Sequence, residues 1–530
     1  ERPILAVIGL FGLAFLCYLI AIRVALRVRE GRRLLAAILL TSMAIRAVAL
    51  VSWPILEIDI YRYVWDGAVM LEGTSPYRYS PEQVLLGKTH AELPEDLRRL
   101  VELREERPAL DTILSRIHYS ELPTIYPPVS QAVFALAVLV TPAKTGVFGH
   151  VFVMKAVLVL FDLGTVLVVI GLLRLAGKHI GWAVAYGWCP LVIKEVANTG
   201  HLDSLAVLLT TLGLYFAVRP LARGVRGRSG RVQMVVAAVF LALAVGAKLY
   251  PIVLIPLCVL VWSRTRDWRW MTAATTIFLA TTAIVLWPMR PVETARTPPD
   301  AGHSVAEGAL PPVPVDTADL KPQDPSGGLK AFLRRWEMND FLFLLVVENL
   351  RPAADVDPAW RAWFTIVPED WKAPVLSILS SRLAVSDSEA AFVLTRLITG
   401  AVFVLIGGVL LWKARASDDP AAWLRVAFLT LAWLWLLSPT QNPWYWTWAL
   451  PLVMFGGSRA WLAVSGLVMI YYLRFWLVYH WPEQPLLGTP YAGAAFFDFV
   501  VTWIEFGPWF LWLAWEARGG STSRQNLPGR

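Results

Sequence analysis

Long apolar runs, separated by short polar loops, occupy most of the chain. Each run is long enough, or nearly long enough, to form a helix across a bilayer, which takes about 20 residues for ~30 Å. The pattern therefore predicts an all-α, polytopic transmembrane helical bundle with about thirteen spans. These spans are 4–22, 34–54, 150–173, 181–196, 203–218, 232–247, 250–262, 271–288, 391–412, 422–438, 444–456, 459–479 and 497–517.

Basic residues in the loops give the spans an orientation, because Lys and Arg are enriched on the cytoplasmic side. Five arginines follow the first span, so that loop is predicted to be cytoplasmic and the N-terminus outside. Alternation then puts loops 174–180, 219–231 and 263–270 inside, together with Lys413, Arg415 and the tail after Ala517. One assignment satisfies every basic cluster, provided that the apolar run 128–142 does not cross.

Two long loops, 55–149 and 289–390, then fall outside, and both are predicted to carry amphipathic helices over one membrane domain, 1–530. The run 128–142 would measure only ~21 Å as a helix, so it is predicted to be half-inserted within the first loop. The second loop is predicted to form a lid. Several prolines between 298 and 314 predict a mobile stretch within it.

Composition excludes several classes of protein. The chain is 57% hydrophobic with a mean hydropathy of +0.55, far too apolar for a soluble domain. The net charge of +8 is explained by orientation and not by binding of nucleic acid. The three cysteines have neither disulfide nor metal spacing, and no cofactor is expected. Many arginines, few lysines and frequent alanine suggest a GC-rich, bacterial genome, so the membrane is expected to be a bacterial plasma membrane.

An acidic cluster opens the first outer loop and is the strongest candidate for chemistry. Glu57 and Asp59 would point the same way in an extended stretch, while Asp59, Arg62, Tyr63 and Asp66 would share one face of a helix. Two carboxylates beside a cation suit general-base work near a phosphate. The alternative is an acidic helix N-terminus favoured by the helix dipole, with Arg62 in a solvated ion pair.

Further polar residues are predicted on the same side, and each has a simpler explanation beside the functional one. The aromatic residues would belong to an interface belt, Asp203 would cap a helix and Lys248 would snorkel. The candidates are Arg78, Tyr126, His201, Asp203, Lys248, Tyr250, Asn339, Asp340, Gln441, Asn442 and Trp446. Within one span, Lys155 and Asp162 share a face and are predicted to form a structural pair.

The chain has no P-loop, dinucleotide fingerprint or nucleophile elbow. A nucleotide-driven reaction is therefore not expected. A site on the outer face needs a substrate that is already in the membrane, and a lipid-linked donor fits this requirement.

Five short motifs occur in a fixed order along the chain: Glu57-Ile58-Asp59, S-P-Y-R-Y at 75–79, G-H-x-D at 200–203, K-x-Y-P at 248–251 and Q-N-x-W-Y at 441–445. In residues 34–480 this set resembles GT-C glycosyltransferases that use polyprenyl-phosphate sugars. It is most similar to the mannosyltransferase of GPI-anchor assembly and to bacterial enzymes that extend phosphatidylinositol mannosides. The span 4–22 is interpreted as an addition to the common core.

The resemblance implies an inverting, metal-independent transfer of a hexose, most simply mannose, from a polyprenyl-phosphate donor to a lipid or glycan acceptor. The family motif is often D-x-D, so Asp59 is the expected base, whereas the contribution of Glu57 stays open. The leaving phosphate would be held by Arg62, Lys248 and Arg78, and the sugars by the remaining candidates. Two alternatives stay open: a transporter or flippase of a lipid-linked saccharide, and a non-catalytic assembly subunit.

Overall fold

The computed structural model describes residues 3–88, 92–223, 227–292, 320–357 and 360–522, and their secondary structure consists of helices joined by loops and turns, without a named strand. Part of the predicted lid, including the prolines between 298 and 314, lies outside the described residues, as do residues 224–226 of one predicted cytoplasmic loop. The prediction of an all-α, polytopic membrane protein is confirmed.

Ten helices in the described residues are long and apolar enough to cross a membrane. They coincide with ten of the thirteen predicted spans. Their bounds are Ile4–Arg27, Arg32–Leu50, Val147–Leu175, Asp203–Ala222, Arg228–Ala247, Trp268–Met289, Asp387–Ala414, Pro420–Leu437, Ala460–His480 and Gly493–Arg518.

The other three predicted spans are broken into short pieces. Span 181–196 consists of the 3₁₀-helix Ile180–Ala183, the α-helical pieces Val184–Gly187 and Pro190–Val192, and the π-helix Ile193–Asn198. Span 250–262 begins as the 3₁₀-helix Tyr250–Leu254 and continues as Ile255–Ser263. Span 444–456 contains Pro443–Trp446 and the 3₁₀-helix Leu450–Phe455.

The broken segment 180–198 nevertheless runs the full length of a spanning helix. At one end, the Ile180 N–H donates to Glu30 Oε1 at 2.6 Å, just before the helix Arg32–Leu50. At the other end, Asn198 Nδ2 donates to Ser52 Oγ and to the Trp53 carbonyl, just after the same helix. The segment therefore joins two ends of the bundle, here called the arginine end (loop 28–31) and the site end (residues 51–59).

Shorter helices cover the site end. Those of the first loop are Ile60–Leu71, Pro81–Gly87, Glu95–Glu106, Pro108–Leu114 and Pro128–Leu139. Those of the second are Gly327–Arg335, Leu342–Leu350 and Glu369–Leu383. The first-loop helices share a hydrophobic core of their own.

The helix Pro128–Leu139 has 12 residues, so at ~18 Å it is shorter than the hydrocarbon core of a bilayer. It packs directly on Ile60–Leu71, because Gly67 leaves room for the Phe134 carbonyl, which would lie 2.5 Å from a Cβ at that position. Ser130 Oγ donates to the Ala247 carbonyl at 2.8 Å and anchors the short helix to a spanning one.

The predicted pair of Lys155 and Asp162 does not form, so that prediction was wrong. Asp162 pairs with Arg46 at 2.5 Å and accepts from the Tyr186 hydroxyl at 2.7 Å. Lys155 Nζ instead donates to carbonyl oxygens at the end of Arg32–Leu50, including that of Ser52 at 2.7 Å. Seven residues of helix separate the two by about 10 Å along the axis, and each meets a closer partner on another segment.

Candidate active site

The turn that leads to Asp59 is strained. Leu56 has φ = 73°, a conformation that is rare for a bulky side chain and costs of the order of 1–2 kcal/mol. Tyr119 and Asn339, on the two long loops, also have positive φ, of 53° each. Such strain is typical of functional sites, where the surrounding structure maintains it.

Asp59 directly precedes the helix Ile60–Leu71, but its carboxylate makes no capping hydrogen bond to that helix. Asp59 Oδ2 instead accepts from the Tyr126 hydroxyl at 3.2 Å. Tyr126 packs edge-on against Tyr63, with 5.0 Å between ring centroids, and its backbone carbonyl accepts from the Tyr77 hydroxyl. Burial, together with the charge of Asp59, raises the pKa of Tyr126 well above its usual value, so this phenol stays a neutral donor.

Lys248 supplies a cation beside this carboxylate. Its Nζ lies 2.6 Å from Asp203 Oδ1 and 4.3 Å from the centre of the Tyr445 ring. Burial lowers the pKa of Lys248, while the charges of Asp203 and Asp59 oppose that shift. Because the charge of Asp59 acts on the pKa of Lys248, the two groups lie in the same region of the structure.

Aromatic rings form the wall behind Lys248. The Trp448 indole N–H donates to the same Asp203 oxygen that receives Lys248. Tyr250 stacks on Trp448 at 4.4 Å, with 2° between the ring planes. Asp203 begins the helix Asp203–Arg223, yet it also holds Lys248 and Trp448, so helix capping alone does not account for it.

A second network surrounds His201, and it includes residues that the sequence interpretation missed. Glu195, fully buried, accepts from Lys194 Nζ and from the Tyr472 hydroxyl at 3.1 Å each, and His201 Nδ1 lies 3.0 Å from its Oε2. His201 also stacks on Trp444 at 4.2 Å. The π-helix Ile193–Asn198 presents the two charged residues, and π-turns are frequent at functional sites.

Arg474 is a further cation near the acidic cluster. It forms a double ion pair with Asp498, with nitrogen–oxygen distances of 3.2 and 3.3 Å. Burial raises the pKa of the Tyr119 hydroxyl, and Asp59, Glu57 and Arg474 also act on it. Tyr119 therefore lies among these three charges, with its ring 4.5 Å from that of Trp336.

Three of the predicted site residues form ion pairs with other side chains: Arg62, Asp66 and Arg78. Arg62 Nε lies 2.9 Å from Asp66 Oδ1, and its Nη2 donates to the Leu122 carbonyl, so both residues join the helix Ile60–Leu71 to the chain before Tyr126. Burial raises the pKa of Asp66, while Arg62 lowers it. Arg78 is half-exposed and pairs with Asp96 at 2.9 Å. These contacts indicate structural ion pairs.

The predicted segments 336–341 and 439–446 come together as a short parallel bridge. The Met338 N–H donates to the Pro439 carbonyl, and the Gln441 N–H donates to the Met338 carbonyl, at 2.8 Å each. Asn339 Nδ2 donates to the Gln441 carbonyl at 3.3 Å. The Gln441 side chain donates to the Leu436 carbonyl, so both side chains stabilise this bridge.

Asp340 and Asn442 are buried beside the same bridge. Burial raises the pKa of Asp340 well above its usual value, and the nearby Glu337 and Asp498 raise it further.

The expectation that Trp446 helps to hold a sugar disagrees with the structure. Trp446 has no exposed surface and packs among Trp435, Phe428 and Trp461. Its neighbours Trp444 and Trp448 face His201 and Lys248 instead, because the short helix Pro443–Trp446 ends there. Among the described residues, no three His, Cys, Asp or Glu side chains converge as a metal site would require.

One rule would have identified the charged residues that the sequence interpretation missed. Lys194, Glu195 and Arg474 lie inside predicted spans, and Asp498 lies at the start of one. An ionisable residue inside a span is a functional candidate by default, but only Lys155 and Asp162 were considered in this way.

The described residues form a spanning helical bundle with a carboxylate, cations and aromatic rings gathered at one end. Residues 2–264 match the family described as alpha-(1->6)-mannopyranosyltransferase, N-terminal domain. This match supports a mannosyltransferase of the GT-C type, and it includes the first span, which the sequence interpretation had treated as an addition. The searches of curated proteins and of solved structures found no match.

Proposed function

We propose that the protein transfers mannose from a polyprenyl-phosphate donor to a lipid-linked or glycan acceptor, at the extracytoplasmic face of a bacterial plasma membrane. The observation that carries the proposal is Asp59, whose carboxylate leaves the helix N-terminus uncapped and faces Tyr126 near Lys248 and Arg474. The family description adds an α-(1→6) linkage. A phosphatidylinositol mannoside is one acceptor that fits.

Asp59 acts as the general base. It takes the proton of an acceptor hydroxyl as that oxygen forms a bond to the anomeric carbon. The bond from the same carbon to the phosphate oxygen breaks on the opposite face, and the electron pair leaves with the lipid phosphate. Inversion therefore converts a β-linked donor into an α-linked product. Glu57, two residues away, helps to orient the acceptor.

The leaving phosphate gains negative charge and requires cations that are already in position. Lys248 is the first candidate, because Asp203 and Trp448 fix its place and its Nζ lies over the Tyr445 ring. Arg474 is the second candidate, on the side of Tyr119. The sequence had suggested Arg62 and Arg78 for this role, but Arg62 pairs with Asp66 and Arg78 pairs with Asp96. Lys248 and Arg474 therefore take their place.

The test compares wild-type protein with Asp59→Asn in detergent, using radiolabelled polyprenyl-phosphate mannose and a total membrane lipid extract. Because Asn cannot accept the proton, we expect transfer to fall by at least about 100-fold, with donor binding preserved. Glu72→Gln is the matched control, since Glu72 follows the other end of the same helix. Wild-type turnover by Asp59→Asn would show that Asp59 is not the base.

A transporter or flippase of a lipid-linked saccharide is the second candidate. The broken spans 180–198 and 443–456 favour it, because transporters use interrupted helices. The polar residues of those spans, however, gather at the site end, and the buried pair of Arg46 and Asp162 has no exposed surface. A new glycolipid made by purified wild-type protein would exclude simple transport, whereas transfer from no polyprenyl-phosphate sugar would favour transport or assembly.

A further inference from the structure

The helix Glu369–Leu383, here called the surface helix, turns apolar side chains outward. Trp371, Val375 and Ile378 are 75%, 48% and 58% exposed, at spacings of four and three residues that put them on one face. Helices with an exposed apolar face typically lie in the membrane interface. The surface helix is at the site end, because the next two spans, Asp387–Ala414 and Pro420–Leu437, lead away from it and back to the bridge between Met338 and Thr440.

Two more tryptophans extend this apolar surface. Trp360 and Trp363, just before the surface helix, are 39% and 59% exposed. Indole rings are enriched at the depth of lipid head groups, where the ring is in an apolar environment and the N–H is wet. Residues 360–383 are therefore expected to lie at head-group depth.

A polar cavity of about 210 Å³ opens between the end of the helix Leu342–Leu350, residues 361–368 and the start of the surface helix. Three cations line it: Arg351, Arg361 and Lys372. Arg351 is paired with Glu348 at 2.6 Å, and Lys372 lies 3.3 Å from Glu369. Arg361 is exposed and forms no ion pair within the described part of the chain.

The Thr365 hydroxyl provides a second, independent sign of a ligand. Thr365 lines the cavity, and its Oγ1 is buried without a hydrogen-bond partner among the described residues. A buried hydroxyl without a partner is costly. An anion in the cavity would provide an acceptor for this hydroxyl and neutralise Arg361.

An apolar groove of about 470 Å³ lies on the other side of the same segment, lined by Trp363, Phe499, Trp503, Ile504 and Pro508. The Trp363 indole donates to the Phe499 carbonyl at 2.7 Å, which fixes the segment between cavity and groove. The cavity adjoins the surface helix, whereas the groove continues along the span Gly493–Arg518. A cationic cavity at head-group depth next to an apolar groove along a span matches one molecule with an anionic head and an apolar chain.

We propose that this cavity and groove bind an anionic membrane phospholipid, with its phosphate at Arg361 and Thr365 and one acyl chain beside Trp363 and Trp503. The site does not depend on the transferase reaction proposed above. It is also separate from the site around Asp59, because no residue lining the cavity contacts Asp59, Lys248 or Tyr126. One link exists: Arg351 Nη2, on the cavity wall, lies 3.6 Å from Glu337, beside the buried Asp340.

The test is native mass spectrometry of the detergent-purified full chain with phosphatidylglycerol or phosphatidylcholine of the same acyl chains. We expect phosphatidylglycerol to bind preferentially, and Arg361→Gln to weaken its binding about fivefold, since one basic side chain near an anionic surface has an effect of that size. The control is Arg290→Gln, an exposed arginine that stacks on Trp287 after another span. Thr365→Val should weaken binding without changing the charge.

Equal binding of the two lipids, or unchanged binding by both Arg361→Gln and Thr365→Val, would overturn the proposal. Displacement of phosphatidylglycerol by polyprenyl phosphate at equal concentration would also overturn it, since the cavity would then belong to the donor. The melting temperature of each variant without added lipid checks that it is folded. Phosphatidylglycerol binding by a protein that shows no transferase activity would support this proposal and contradict only the proposed function.

Discussion

Asp203 illustrates how a single carboxylate fixes a buried cation. One of its oxygens receives both Lys248 Nζ and the Trp448 indole, while the Tyr445 ring lies 4.3 Å from the ammonium. A buried lysine without such partners tends to lose its proton. Asp203 and the π-face of Tyr445 therefore oppose the lowering that burial imposes on the pKa of Lys248.

Glu337 is the residue for which a pH effect is expected. Burial raises its pKa from 4.5 to about 7, against the opposing charge of Arg351. Glu348, Asp498 and Arg474 also act on it. Between pH 4.5 and 7 the folded protein keeps a proton that the unfolded chain has lost, so the free energy of unfolding falls as the pH rises, by up to about 1.4 kcal/mol per unit.

Glu337→Gln cannot ionise, so this variant should lack that fall and be more stable than wild type at pH 8. At pH 5 the two proteins should differ little. Melting temperatures between pH 5 and 8 measure the effect, with the exposed Glu483→Gln as control. If melting temperature changed with pH in the same way for wild type and Glu337→Gln, the raised pKa assigned to Glu337 would be contradicted.

Residue identity was only partly predictable from the sequence. Asp59, Lys248, Asp203 and Tyr126 were expected to share one site, because each lies in a polar loop that the basic clusters assign to one side. The prediction for Trp446 was wrong because neighbouring residues of a one-turn helix face different directions. No sequence pattern specifies which of Trp444, Trp446 and Trp448 faces the candidate site.

At the scale of elements, the contact between Ile60–Leu71 and Pro128–Leu139 positions Asp59 against Tyr126. Their backbones meet at Gly67, where a Cβ would lie 2.5 Å from the Phe134 carbonyl. Neither partner of this contact is a flexible side chain, so the helices themselves must separate to admit a methyl group.

Gly67→Ala is therefore expected to destabilise the protein by about 1–3 kcal/mol and to slow transfer by moving Asp59 away from Tyr126. Melting temperature and initial transfer rate measure the two effects. Gly12→Ala is the matched control, since Gly12 also lies in a helix but has nothing within 4 Å of the added Cβ. If Gly67→Ala behaved as Gly12→Ala does, the close contact would not position the site.

The broken spans show the limit of sequence patterns at this scale. Hydropathy found segments 181–196, 250–262 and 444–456, because apolar composition is the same in any helix type. It could not predict their 3₁₀ and π turns, which depend on tertiary contacts such as those between Glu195, Lys194 and Tyr472. Prolines at 190, 251, 443 and 451 were the available local signal, since each removes a backbone donor.

At the scale of the whole molecule, the orientation in the membrane stays a prediction from the basic loops. Ser115→Cys, exposed in the first long loop, should react with a membrane-impermeant maleimide in intact cells. Ser229→Cys, exposed at the arginine end, should react only after permeabilisation. The background chain carries Ser in place of its three cysteines. The reverse labelling pattern would put the site in the cytoplasm.

The candidate site draws on both halves of the chain, which has a consequence for its biosynthesis. Residues 2–264 match the transferase family and supply Asp59, Lys248 and Asp203, but Trp448, Tyr472 and Arg474 come from the second half. A ribosome adding 5–20 residues per second needs roughly 20–80 s to pass from Asp59 to Arg474. During that interval the nascent bundle carries the acidic and basic groups of the candidate site without their aromatic wall, so the site can be completed only after Arg474 has been synthesised.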